Sequence, residues 1–142
     1  MKVRDMMSKN IATVKPDTPI LEVAKVLKDM NIGSVPVCDG NKVVGIVTDR
    51  DIVIRELAMG KDVKRDVAKD VMTSGVTTAT PEMDIHEASK IMAQRQIRRL
   101  PVVENGTLIG MLALGDIAVQ SKLEDDAGEA LSDISKPTHT MY

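Results

Sequence analysis

The residues best suited to chemistry stand at two places where an apolar run gives way to charge. Gly45 to Asp51 reads G-I-V-T-D-R-D, and Gly110 to Asp116 reads G-M-L-A-L-G-D. A strand running into a helix there leaves unpaired backbone donors and a favourable dipole end, a setting that suits phosphate. Thr48 adds a hydroxyl donor, and the carboxylate of Asp51 can accept both hydrogen bonds of a ribose diol. Asp116 takes the place of Asp51 in the second run, but Ala113 replaces Thr48, so two unequal clefts are expected. Thr-x-x-Asp is equally a helix-capping pattern, and one residue pair can serve both purposes.

Arg98 and Arg99 stand just before the second middle strand, where the first half of the chain has Gly33 and Ser34. A guanidinium there can clamp a phosphate by bidentate hydrogen bonds; an ion pair with a nearby carboxylate is the competing role. Neighbouring strand residues point to opposite faces, so at most one of the two is expected in a given cleft. His86, His139 and the single Cys38 have no metal-ligand spacing. No nucleophile–base arrangement or phosphate-cradling glycine loop is visible, and the acidic run Glu124–Asp126 reads as a solvated tail. The residues therefore suggest binding and no catalysis.

The elements that position these residues come twice. Val3–Val53 lies on Ala68–Ala118 at one constant offset of 65 residues without a gap, with Met7/Met72, Pro16/Pro81, Pro36/Pro101, Gly45/Gly110 and Asp51/Asp116 among the identities. Each copy is too small to bury much surface alone, so the core and the clefts are expected between the copies. Each copy opens with a short turn at Met7 or Met72, then an extended stretch (Ile11–Val14, Val76–Thr80). A helix follows, with Thr18 as N-cap and Pro19 in its first turn in copy one, and an Asp84/Glu87 capping box in copy two. Two strands then form a hairpin, Ser34–Cys38 with Lys42–Val47 and Arg99–Glu104 with Thr107–Leu112. The Asn105-Gly106 pair favours a primed turn. A last helix, about Asp49–Ala58 or Gly115–Ser121, closes each unit. The divisions are 1–59 for the first repeat, 60–67 for a linker, 68–121 for the second repeat and 122–142 for a tail. Within that tail Ala127, Ala130, Leu131 and Ile134 have helical spacing, which fits an interaction helix or a solvated end.

Bulk composition narrows the function classes. The 142 residues carry a formal net charge of −2, which gives no basic field for a nucleic-acid backbone. There is no Trp or Phe and one Tyr, so base-stacking platforms are lacking, and a bound ring must lie between aliphatic walls. One cysteine, inside the apolar run Val35–Cys38, reads as a buried small hydrophobe in a reducing cytoplasm. No run is long enough for a membrane span, and the charged Met1–Asn10 does not resemble a signal peptide.

The paired units, the V-P-V and L-P-V strand starts and the G-I-V-T-D-R-D-I end resemble a tandem pair of CBS domains, the cystathionine-β-synthase-type regulatory repeat or Bateman module. The resemblance spans about Lys2 to Gln120. It implies an α/β (α+β) fold of two β-α-β-β-α repeats packed sheet to sheet. It also implies clefts at their seam for AMP, ADP, ATP or S-adenosylmethionine, with no required cofactor and no metal. By the resemblance, Asp51 and Thr48 would serve the better-preserved cleft and Asp116 the other. Ile32, Pro36, Ile97 and Pro101 would lie near the base, and Arg98 or Arg99 near the phosphates. Ala113 and Gly115 depart from the family pattern. The expected protein is a stand-alone, non-enzymatic adenylate sensor, a homodimer with two modules in a flat disc, signalling to an effector protein. A purely structural oligomerisation module is the alternative; an enzyme or a DNA binder fits the residues less well.

Overall fold

Why two lengths of chain with one sequence pattern do not pack simply as two copies is visible in how each begins. A computed structural model describes residues 1–119 and 124–136. It divides into two compact units, Ala12–Val76 and a second made of Met1–Ile11 with the chain from Thr77 on. The opening segment of the chain thus belongs with the second copy, and the opening segment of the second copy belongs with the first.

The unit Ala12–Val76 contains helix α1 (Ile20–Met30), strands β1 (Ser34–Asp39) and β2 (Lys42–Thr48), and a last helix that begins as α2 (Asp49–Asp51) and continues as a π-helical turn over Ile52–Leu57. Helix α3 (Ala68–Val71) returns to it. α1 buries Ile20, Val23 and Leu27, one face at helical spacing, against Val35, Val37 and Val47 of the hairpin and Ala68 and Val71 of α3. The helix starts one residue later than expected. Thr18 is occupied elsewhere, its hydroxyl accepting from Lys15 N at 2.9 Å and its carbonyl from Ala68 N at 2.8 Å, so extended Pro19 is the N-cap. The expected linker also packs back, with Leu21 N donating to Val63 O at 2.9 Å.

The second unit repeats this plan with α4 (Ile85–Arg95), β3 (Arg99–Glu104), β4 (Thr107–Ala113) and α5 (Leu114–Ala118), and adds α6 (Glu124–Ile134). Asp84 caps α4 by accepting from His86 N at 2.8 Å. Among the described residues the reciprocal bond from Asp84 N to Glu87 is not made, so only half of the expected capping box forms. Ile85, Ala88 and Met92 of α4 are buried with Leu100, Leu112 and Ile117, together with Val3 from the opening segment. Each unit therefore has a hydrophobic core built from one copy together with the opening segment of the other. The run expected as a solvated tail, Glu124–Asp126, is instead the start of helix α6, whose Ala127 and Ala130 are buried in the second unit's core against α4 and α5. The expected helix end at Ser121 and His139 lie outside the described residues.

The hairpins follow the sequence closely. Asn105 and Gly106 both have positive φ (51° and 79°), the primed turn that matches strand twist, and Gly40 takes φ 62° in the first hairpin. Each hairpin is bulged at the equivalent place, between Val37 and Cys38 and between Val102 and Val103. The amides past the bulge are used by the preceding extended stretch. Cys38 N donates to Val14 O and Val103 N to Ala79 O, both at 2.8 Å, so the first expected strand of each copy is reduced to a one-residue parallel bridge. Cys38 is buried, which pushes its thiol pKa up, as expected of a small hydrophobe. Among the described residues no helix is long and apolar enough to cross a membrane.

The cross-packing of the opening segments accounts for two of the repeated identities. Ser8 bridges Met111 and, 65 residues on, Thr73 bridges Ile46. That pairing sets Met7 on Gly110 and Met72 on Gly45. A Cβ at either position would collide with that methionine, so any larger residue forces it to shift.

Candidate ligand-binding site

At the end of β2, Thr48 is extended (φ −109°, ψ 162°) and caps the helix that follows. Its hydroxyl oxygen accepts from Asp51 N at 3.0 Å, and the Asp51 carboxylate reaches back, Oδ2 accepting from Thr48 N at 2.9 Å. This is a complete capping box, so the structural role of Thr-x-x-Asp is realised. Both side chains are buried, Asp51 at 0% exposure. Its second oxygen, Oδ1, has no hydrogen-bond partner among the described residues and stands 3.7 Å from Arg55 Nε. Arg55 itself is turned to carbonyls, donating to Val71 O at 3.2 Å. Burial pushes the Asp51 pKa up, against the opposing pull of the Thr48 hydrogen bonds and of Arg55.

Asp116 makes the same gesture at the start of α5, Oδ2 accepting from Ala113 N at 3.1 Å, without a hydroxyl in return. Asp5 and Asp70 repeat it again, on Lys2 N and Val67 N at 2.9 Å. Four equivalent aspartates thus each satisfy the otherwise unpaired amide three residues before them. Capping alone explains why Asp recurs at all four. What separates Asp51 and Asp116 from the exposed Asp5 and Asp70 is burial, complete in the first and partial in the second.

Beside the β4–α5 junction lies a hollow of about 550 Å³. Ala113, Leu114, Gly115 and Ala118 form one wall; Ala127, Gly128 and Leu131 of α6 form another; Arg98 and Arg99 complete it. Its volume falls in the range of small-molecule sites. Both arginines border the same hollow, contrary to the alternation expected of strand neighbours. Arg98 precedes the first strand residue, and its carbonyl is tied to the start of α5 by Leu114 N at 2.8 Å, so the pleat does not govern it. Arg98 is exposed and Arg99 half-buried, and among the described residues neither is in an ion pair.

The four residues expected near a base have other work within their units. Ile97 is a core residue at 1% exposure, and half-buried Ile32 packs on the other core. Pro36 and Pro101 are buried, their carbonyls accepting from Val14 N at 3.1 Å and Ala79 N at 2.9 Å. The structure therefore groups Thr48 with Asp51 in one unit, and Arg98, Arg99 and the Ala113–Asp116 turn in the other.

Three features were missed from the sequence. His86 Nδ1 pairs with Asp126 of α6, which residue spacing cannot foretell. The α6 wall required knowing where the tail docks. Glu56, in the π-helical turn, is wholly buried, and neither of its carboxylate oxygens has a partner among the described residues. Burial pushes its pKa up. The Asp66 carboxylate, with which it can share a hydrogen bond only through a proton, and Asp70 act in the same direction, opposed by Lys61. A raised folded-state pKa means that Glu56 favours folding while protonated. That contribution is complete below the ordinary glutamate range and is lost as pH rises through the raised value. Glu56→Gln should remove this dependence: its melting temperature should gain on that of the wild type as pH rises above the ordinary glutamate range. Parallel melting curves at every pH would show that Glu56 carries no such coupling.

With this geometry in view, comparison with known proteins decides the family. The CBS domain model matches residues 3–57 and again 68–121. The chain belongs to the CBS domain family. This CBS pair is 42% identical over 133 residues to the CBS domain-containing protein YhcV of Bacillus subtilis, covering 94% of each chain. Among solved structures it is similar to Hypoxic Response Protein I, described with two coordinated zinc ions (TM-score 0.79, 30% identity, 84% of this chain and 98% of that one). It is also similar to the CBS domain pair of protein MJ0100 in complex with 5′-methylthioadenosine and S-adenosyl-L-methionine (TM-score 0.74, 31% identity, 83% and 93%). Among the described residues of this CBS pair no group of three or more His, Cys, Asp or Glu side chains is placed to hold a metal.

Proposed function

We propose that this CBS pair is a regulatory module, without catalytic activity of its own, that binds an adenine nucleotide or adenosyl compound and transmits its occupancy to an effector protein. The observation that carries the reading is the pair Arg98 and Arg99, free of ion pairs among the described residues, on an aliphatic-walled hollow beside the turn bearing Asp116. Uncommitted guanidiniums on an apolar hollow suit an organic phosphate. Asp116 would accept from the ribose, with Ile97 and Pro101 nearest the base. In the other unit the open Oδ1 of Asp51, the Thr48 hydroxyl, Ile32 and Pro36 would play the same parts. The adenosyl ligands of the MJ0100 pair support this ligand class. Val53, Ile54, Leu57 and Met59 are exposed apolar side chains on and just after the π-helical turn and suit pairing with a second copy as a homodimer, in the cytoplasm.

A structural module without a ligand is the second reading, favoured by the complete capping box, which gives Thr48 and Asp51 a sufficient role without one. The ultraviolet spectrum of the purified protein separates the two. With one tyrosine and no tryptophan the chain absorbs almost nothing of its own, so a retained adenine should dominate the spectrum and be identified by mass spectrometry after denaturation. A featureless spectrum, followed by no heat on titration with AMP, ATP and S-adenosylmethionine, would overturn the sensor reading.

A further inference from the structure

Gly128 sits in the middle of α6, an eleven-residue helix, where glycine costs about 1 kcal/mol relative to alanine. Among the described residues nothing demands it: a Cβ built at Gly128 meets no atom within 4 Å, and no positive φ is involved. What Gly128 does adjoin is the hollow with Arg98 and Arg99.

The rest of α6 is arranged in the same sense. Of its acids, Asp126, Glu129 and Asp133 line a separate hollow with Ser89, Lys90 and Gln94 of α4, and Asp126 pairs with His86. The residues by which α6 borders the arginines' hollow are Ala127, Gly128 and Leu131, none of which can pair with a guanidinium. α6 also lies outside both segments matched by the family model.

We propose that α6 is a wall of the ligand site, holding a phosphate-bearing adenosine with its apolar surface against Ala127, Gly128 and Leu131 and its phosphate on Arg98 and Arg99. Gly128 is a specificity-determining position that keeps this wall clear. The inference rests on the adenylate reading above. The test is calorimetric titration of AMP into the wild type, Gly128→Ala and Gly128→Leu, with melting temperatures alongside. Both variants should keep or raise the melting temperature. Gly128→Leu should weaken AMP by about 10- to 100-fold, because its side chain fills the hollow. Gly128→Ala should weaken it less, and decides the matter if the leucine variant does not fold. AMP binding equal in wild type and variants would overturn the role of α6 while leaving the adenylate reading standing. No AMP binding by the wild type would overturn both.

Discussion

Replacing Gly110 with alanine is expected to cost about 3 kcal/mol of folding stability, and the same change at Gly45 about 1 kcal/mol. The two glycines are equivalents in the repeat, each under a methionine of an opening segment, yet they differ in what a methyl group would strike. At Gly45 the three atoms nearest the new Cβ all belong to Met72, its Sδ, its Cγ at 2.8 Å and its Cβ at 3.1 Å, so the closest clashes are with the outer part of an adaptable side chain. At Gly110 it meets Met7 Sδ at 2.8 Å and also the carbonyl oxygen of Ser8 at 2.9 Å. That carbonyl is not free to move: it accepts from Met111 N at 2.9 Å, while Ser8 N donates to Met111 O at 2.8 Å. Accommodating alanine at Gly110 therefore means breaking the bridge that holds the opening segment in its unit. Denaturant titration measures both costs. A double-mutant cycle tests the cause: Met72→Ala should remove most of the penalty at Gly45, whereas Met7→Ala should leave most of it at Gly110. Equal costs at the two sites, or full relief at Gly110 by Met7→Ala, would show that the backbone contact is unimportant.

This asymmetry also marks the limit of what residue patterns could reveal. Local rules were legible: the helical spacing of Ile20, Val23 and Leu27, the turn at Asn105-Gly106, and the Thr48–Asp51 capping box all follow from residues a few positions apart. The exchange of opening segments was not. Val3 and Ala68 occupy equivalent places and would be buried by either copy's hairpin, so no local pattern distinguishes one partner from the other. Thr18 is a good N-cap by type, but its carbonyl is taken by Ala68 N, fifty residues away in the chain, and its hydroxyl by Lys15 N. The site divides in the same way. The aspartates and arginines could be named because their chemistry is explicit, but the wall opposite them is built from Ala127, Gly128 and Leu131, residues with no chemistry to read. Only the docking of α6, through Ala127 and Ala130 in the core and the Gln96 Nε2 bond to Asp133 O at 3.0 Å, gives them a place.

The largest expected effect on binding is that of removing both guanidiniums. Arg98→Met with Arg99→Met keeps much of each aliphatic stem, and so the lining of the hollow, while taking away the charge. A hydrogen bond to a charged group contributes about 1.5–3 kcal/mol, so losing one from each arginine should weaken AMP by about 100-fold or more. Stability should change little, because among the described residues neither arginine is in an ion pair that the substitution would break. Two controls separate charge from shape. Added salt should weaken AMP binding to the wild type more than to the variant, since only the wild type presents screened charge to the phosphate. Methylthioadenosine, which carries no phosphate, should bind both proteins alike. If it lost affinity in step with AMP, the arginines would be acting as walls and not as an anion clamp. If AMP bound the variant undiminished, its site would have to lie away from these arginines. The other unit, where the open Oδ1 of Asp51 can accept from a ribose hydroxyl beside Thr48, would then be the place to look, and Asp51→Asn, which retains a capping side chain, would be the substitution that shows it.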